Sequence, residues 1–313
     1  MLLRATYSFM LPEMPELLDH QLLFVTGKGG VGKTTVAAAA AIRAAGEGRR
    51  VILAETGAQR MPGLFGVPVP PRGEEVQVAD GLWTLAIDTP LALEEFVAAQ
   101  LRSRALVQVL TRSNMFRAFV EAAPGARELV AITKVWELVQ KRRWVRRRPA
   151  YDLVVVDAPA SGHGLGLLRT PRTFADIARV GPLHSQAARV REWLEDSRRT
   201  AYLAVALPSE MPVTETLELE GRLRRTIGRN LTAIVVNGLL PRRFSPAEIE
   251  RVEAELDGAP AAAAARTQAA RSRLQHNQLA RLRRGAQAPV STLPFVAREA
   301  LSLDDVRELA RRL

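Results

Sequence analysis

Thr26-Gly27-Lys28-Gly29-Gly30-Val31-Gly32-Lys33-Thr34-Thr35 is the stretch that decides the fold. It contains G-x-x-x-x-G-K-[ST], running from Gly27 to Thr34. The apolar run Leu22–Val25 precedes it and an alanine-rich helical run, Val36–Ala45, follows. Strand, loop and helix in that order make the pattern a phosphate-binding loop. Glycines let backbone N–H groups close around phosphate oxygens, Lys33 reaches the β- and γ-phosphates, and Thr34 offers a hydroxyl to Mg²⁺. Gly27, Lys28, Gly29, Gly30, Val31, Gly32 and Thr35 complete the cradle, and the helix N-terminus adds a field that favours anions. ATP and Mg²⁺ are the expected ligands.

Outward from the loop, apolar runs recur between helical stretches. They are Leu22–Thr26, Val51–Ala54, Leu82–Ile87, Leu153–Asp157, Tyr202–Leu207, Ala233–Asn237 and Val290–Leu293. Several are unbroken, as strands buried on both faces should be. Their alternation with helices predicts an α/β fold, a doubly wound, mostly parallel sheet with ligands at the strands' carboxyl ends. Residues 1–313 then form one phosphate-loop ATPase domain. Between Asp88 and Arg148 there is no strand signal, and Leu91, Leu93, Phe96, Val97 and Leu101 open a helical apolar face. Residues 88–148 are therefore expected to be a helical subdomain inserted in the domain. Its apolar face packs on the core in the plainer reading and holds an apolar client in the functional one. Ala261–Arg284 reads as a basic helix. Residues 1–13 read as a disordered leader, with Met14 an alternative start to Met1.

Composition narrows the field. There is no cysteine, which excludes disulfides, thiolate metal sites and iron–sulfur clusters. No apolar run approaches the roughly 20 residues of a membrane-spanning helix, and a cytoplasmic location fits. The net charge is +11, from 44 Lys+Arg against 33 Asp+Glu. Nearly all the excess is arginine in an alanine-rich chain, which reads as coding bias. Nucleic acid is thus disfavoured as a partner, and transient membrane association stays open.

Lys28, directly after the first glycine, resembles the signature of the deviant Walker A class of ATPases. The resemblance implies that this lysine reaches a partner's nucleotide across a dimer interface. A second motif, Tyr151–Asp157, is an apolar strand ending in an acid that holds the Mg²⁺ shell. The turn after it, Ala158–Gly164, has the composition of a γ-phosphate-sensing switch. Its D-x-x-x-[ST]-G-H pattern resembles switch II of the ArsA family, the arsenite-pump and tail-anchored-protein targeting ATPases. Pro208–Thr216 resembles that family's P-E-x-x-x-x-x-E-T loop, and Val235–Leu240 its V-N-x-L-L segment, in which the resemblance implies that Asn237 reads adenine. Leu293-Pro294-Phe295 with Glu299 resembles the closing strand and loop. The likeness spans Leu22 to the C-terminus in single-unit rather than tandem form.

The departures are specific. The family's switch I carries T-D-P-A after the second strand, its Asp positioning the attacking water. Here the strand continues Glu55-Thr56-Gly57-Ala58-Gln59, with Thr56 at the place of that acid. Threonine cannot act as a general base at neutral pH. Glu55 could substitute only through a shift of register. Ser209 replaces the first acid of the P-E loop, with Glu210 beside it. Without cysteine, neither a dimer-bridging zinc nor thiol ligation of arsenite carries over. The expectation is a slow Mg²⁺-dependent ATPase working as a nucleotide-gated dimer, with itself or with an ArsA-like paralogue, around an apolar protein client. Lys28, Lys33, Asp157 and Glu55 are the candidate catalytic groups, and Thr34 and Asp157 the metal ligands. Phe96, Met115, Phe116 and Phe119 are candidates for a client groove. Two rivals stand beside it: an ATP-binding pseudo-enzyme subunit of a heterodimer, and a partitioning-type ATPase that coats DNA.

Overall fold

Alternate residues of a strand point to opposite faces of its sheet, and in this chain both faces are apolar. The computed structural model describes residues 15–100, 113, 125–145, 148, 150–178, 181–256 and 258–313. Its strands are β1 (Leu22–Thr26), β2 (Val51–Glu55), β3 (Val76–Ala79), β4 (Leu82–Ala86), β5 (Leu153–Asp157), β6 (Thr200–Ala206), β7 (Ala233–Leu239) and β8 (Val290–Pro294). They form one sheet in the order β3-β4-β2-β5-β1-β6-β7-β8. All neighbours are parallel except β3 and β4, which are antiparallel.

The helices, in chain order, are α1 (Pro15–Asp19), α2 (Lys33–Gly46), α3 (Met61–Leu64), α4 (Thr89–Gln100), α5 (Ala126–Leu138) and α6 (Ser161–Ala178). They continue with α7 (Pro182–Glu195), α8 (Glu210–Ile227), α9 (Pro246–Glu255), α10 (Pro260–Gly285) and α11 (Leu303–Ala310). Leu23, Val25, Leu53, Val155 and Leu203 face α2 and α11, while Leu22, Phe24, Ile52, Val154, Val156 and Tyr202 face the opposite core with α5 and α7. Ala37 to Ala41 of α2 are all buried. Side chains this small let the helix that starts at the phosphate loop lie close against the sheet.

The seven strands expected from sequence are present, with ends moved by one or two residues. The edge strand β3 was not among them. It is four residues long and partly exposed, so it lacks the apolar run that marks a buried strand. Between β4 and β5 the described residues are helical or irregular, with Ile132, Val135 and Leu138 of α5 in the core. Phe96 of α4 packs its ring on Trp144, centroids 5.5 Å apart. Met115, Phe116 and Phe119 lie outside the described residues, as do residues 1–13. Among the described residues no helix is long and apolar enough to cross a membrane.

A buried ion cluster ties this helical region to the sheet edge. Glu137 accepts from Arg143 Nε at 2.6 Å, the Trp144 N–H at 2.7 Å and Lys134 Nζ at 3.2 Å. Lys134 also pairs with Glu95 of α4. Glu75, just before β3, accepts from Arg143 at 2.6 Å, Arg148 at 2.9 Å and the Tyr151 hydroxyl at 2.8 Å. Burial alone would raise the Glu75 carboxyl, but these donors outweigh it and hold it below the usual glutamate range.

Candidate functional site

The carboxyl ends of β1, β2, β5 and β7 converge on one mouth, and the backbone of Lys28, Lys33, Thr34, Glu55, Thr56, Asp157 and Asn237 lies there. The loop Gly27–Gly32 leaves β1 and enters α2. Gly27 has φ +145° and Gly32 +92°, a region that L side chains rarely adopt. Space is short as well. A Cβ on Gly27 would sit 2.3 Å from the Val205 carbonyl oxygen of β6, and one on Gly32 would sit 2.2 Å from Asn237 Nδ2. The first turn of α2 has no side-chain cap and no acid. Its amides are left for an anion, as in other phosphate loops.

Lys33 begins α2, and its ammonium donates to the Lys28 carbonyl at 3.0 Å. Burial pushes its pKa down, with the Asp157 charge opposing. The Thr34 hydroxyl donates to Asp157 Oδ2 at 2.6 Å. Asp157 ends β5, and burial raises its carboxyl against the pull of Thr34 and Lys33. A hydroxyl and a carboxylate side by side beneath a phosphate cradle are a hard-oxygen donor pair, which suits Mg²⁺ completed by phosphate and water.

The acid–hydroxyl pair of switch I faces elsewhere. Glu55 is 1% exposed. Its carboxylate accepts from the Arg60 N–H at 2.6 Å and the Met61 N–H at 3.2 Å, which caps α3, and from Thr84 Oγ1 at 3.5 Å. Burial pushes its pKa up despite these donors. The Thr56 hydroxyl donates to the Asp157 carbonyl at 2.8 Å, joining β2 to β5. The loop beyond is strapped from outside. Arg72 donates to the Gly57 carbonyl at 3.0 Å and the Ile87 carbonyl at 2.7 Å, and Gln59 donates to the Pro70 carbonyl at 3.1 Å.

Switch II is shorter than the sequence suggested. Ala158–Ala160 is irregular and α6 starts at Ser161. Lys28 is bound within its own chain, its ammonium 2.6 Å from Glu215 Oε1 in α8. Asn237 donates through Nδ2 to the Val31 carbonyl at 3.0 Å, buttressing the loop. Two features were missed in the sequence. One is the partnership of Glu215 with Lys28. The other is Arg60, an exposed residue whose charge acts on both Lys33 and Asp157. Its place just past the carboxyl end of a parallel strand was the signal that could have found it.

Comparison with known proteins gives the family. Residues 20–180 match the model of a family described as anion-transporting ATPases, the ArsA ATPases. A putative ATPase of Mycobacterium bovis and the ATPase BagA of Mycobacterium tuberculosis are each 33% identical over 244 residues, covering 76% of this chain and 71% of the relative. A putative arsenical pump-driving ATPase of Halobacterium salinarum is 26% identical over 95% of this chain, which spans only 45% of that relative. An arsenical pump-driving ATPase of Escherichia coli is 28% identical, and there the chain spans 39%. A phosphate loop with Lys33, Thr34 and Asp157 at one mouth, on a mostly parallel sheet, and a family match across the loop and switches place this chain in the ArsA family of ATPases.

Proposed function

We propose that the chain binds ATP with Mg²⁺ at the mouth of β1 and β5 and hydrolyses it slowly, as one half of a nucleotide-gated dimer. The observation that carries this reading is the Thr34–Asp157 pair, 2.6 Å apart beneath the loop with Lys33 beside it. Mg²⁺ held by Thr34 and Asp157 would neutralise charge on the β- and γ-phosphates. The amides of Gly29 to Thr35 cradle the phosphates, Lys33 supplies a fixed cation, and Asn237, which now bonds the Val31 carbonyl, reads adenine. Phosphoryl transfer asks mainly for positioning and charge neutralisation, which these groups offer.

Slowness follows from the other side of the mouth. Thr56 spends its proton on a carbonyl, and Glu55 is engaged by two backbone amides. For Glu55 to act as a base it would have to abandon the cap of α3. Its weight in this reading is on positioning. Lys28 acts in trans by exchanging Glu215 for a partner's phosphate. Both side chains are about a third exposed, and such pairs contribute about 0–1 kcal/mol. The exchange is therefore cheap enough for nucleotide to drive.

Residues 1–313 are taken as one ATPase unit, with 88–148 an inserted helical part whose apolar side holds a protein client between two copies or two paralogues. The cytoplasm is its proposed location. The test is Lys33→Ala with fluorescent nucleotides and sedimentation. Turnover should fall about 10²–10³-fold, as when one donor facing developing charge is lost. The wild type should sediment as a dimer with an ATP analogue and not with ADP. Unchanged affinity and turnover in the variant would sink the assignment of the loop, and one oligomeric state in all nucleotide conditions would sink the gated dimer.

A further inference from the structure

Arg60 stands at a point that the phosphate chemistry above leaves unexplained. The chain leaves the mouth at Thr56 and returns to it at Arg60, because the Glu55 carboxylate holds the Arg60 N–H at 2.6 Å. Glu55 is itself the register partner of Asp157 across β2 and β5. The loop 56–60 is thus closed on the rim of the site, on the β2 side of Asp157. From β7 across the sheet come the Asn237 contact, the phosphate loop after β1, Asp157 on β5, and then Arg60 beyond β2. Arg60 therefore lies at the far end from Asn237; with Asn237 assigned to adenine in the proposed reading, that end is the one for the terminal phosphate.

Its side chain is exposed, and among the described residues its guanidinium makes no hydrogen bond or ion pair. Arg72, the other arginine bound to this loop, is engaged, holding the Gly57 and Ile87 carbonyls. Two cations, Arg60 and Lys33, share the field of one carboxylate, Asp157, and repel each other across it. An anion between them relieves that repulsion. A guanidinium offers a planar fork of donors that matches phosphate oxygens.

We infer that Arg60 contacts the γ-phosphate of bound ATP, so that the loop 56–60 distinguishes a triphosphate from a diphosphate. The inference rests on the ATP reading of the site. It gives the altered switch I a second meaning: where an acid would position water, this loop brings a cation to the terminal phosphate. The loop then reports which nucleotide is bound, with little gain in hydrolysis.

The test uses the full chain with Mg²⁺ at fixed salt. Fluorescent ADP and a non-hydrolysable ATP analogue are titrated into wild type, Arg60→Ala and Arg60→Lys. Arg60→Ala should weaken the ATP analogue about tenfold to a hundredfold, the worth of hydrogen bonds to a charged group, and ADP by less than twofold. Arg60→Lys should recover part of the loss. The melting temperature should not move, because α3 is capped through the backbone N–H of residue 60. Equal weakening of both nucleotides, or none, overturns the inference and leaves the ATP site standing. A wild type that binds neither nucleotide overturns the reading of the site and the inference with it.

Discussion

The two sides of the mouth are built in opposite ways. On the phosphate side, the Thr34 hydroxyl bonds Asp157 and the Lys33 ammonium bonds the Lys28 carbonyl of the loop, within the field of Asp157. All three stand on strand and helix ends whose backbone the sheet fixes. On the water side, the loop after β2 turns its polar atoms into the protein. Glu55 goes to the amides of α3, Thr56 to the Asp157 carbonyl, and Gly57 and Gln59 are strapped to the segment before β3. One side is organised to hold a ligand and the other is organised to hold itself. In the proposed reading, binding and hydrolysis are therefore separable, and variants on the two sides test whether the first is kept while the second is weak.

The largest expected effect tests whether the water side is braced from a distance. Its straps begin at Pro70 and Arg72, and Glu75 a few residues on is locked into the buried cluster with Arg143. The Arg143 and Glu137 side chains are 1% and 0% exposed. Arg143→Ala leaves two carboxylates short of a buried partner, which costs about 3–5 kcal/mol and should lower the melting temperature by roughly 5–8 °C. Because the Glu75 pKa is lowered in the fold, its stabilisation is present above the ordinary glutamate range and is lost as pH falls through the folded value. Wild-type stability should therefore drop in acid, and Arg143→Ala should show a shallower acid limb in calorimetry. ADP affinity below the melting temperature should stay within about twofold. A parallel loss of ADP affinity would break the comparison, since the phosphate side would then lean on the same brace.

A smaller effect is expected at Thr56. Aspartate there would set an acceptor against the Asp157 carbonyl that now receives the threonine hydroxyl. Repulsion should turn the new carboxylate out toward the mouth, where an acid can orient water. General-base help spans about 10²–10⁴-fold, and Gly57 in place of the family's proline leaves the loop less fixed, so Thr56→Asp should recover only part, about a tenfold rise in steady-state phosphate release. Turnover that stays flat while ATP affinity is kept would show that something other than the missing acid limits the rate.

How much of this was legible in the sequence depends on the range of the forces involved. The phosphate loop, Asp157 and the buried strands were readable because local pattern and apolar runs set them. The edge strand β3 was not, being short and half exposed, although the Asp80-Gly81 turn that pairs it with β4 is a strong hairpin signal. The orientation of Glu55 was illegible. An acid at a strand end points to the ligand or to a neighbouring helix with equal ease, and the choice is made by the amides of α3, which only the fold brings near. Lys28 with Glu215, 187 positions apart, was hidden for the same reason, and Arg60 depended on a loop closed by that same glutamate.

The smallest expected effect is the sharpest on Glu55 itself. Glu55→Gln keeps an oxygen for the Arg60 and Met61 amides and gains a donor for Thr84. A cap should persist, weakened by the loss of charge, at a cost of about 0.5–1 kcal/mol. Against that stands the carboxyl's own penalty. Burial raises its pKa, so it favours the fold below its unfolded pKa and loses that contribution as pH rises through the folded value. Wherever the buried carboxyl is ionised its charge works against the fold, and glutamine removes that charge. The two terms oppose, so the melting temperature at pH 7 should move by only a degree or two, and turnover should stay within about twofold. A general base behaves otherwise, since its loss costs about 10²–10⁴-fold in rate. A drop of that size with the melting temperature kept would mean that Glu55 leaves α3 during turnover and reaches the water, and the two sides of the mouth would then be two states of one loop.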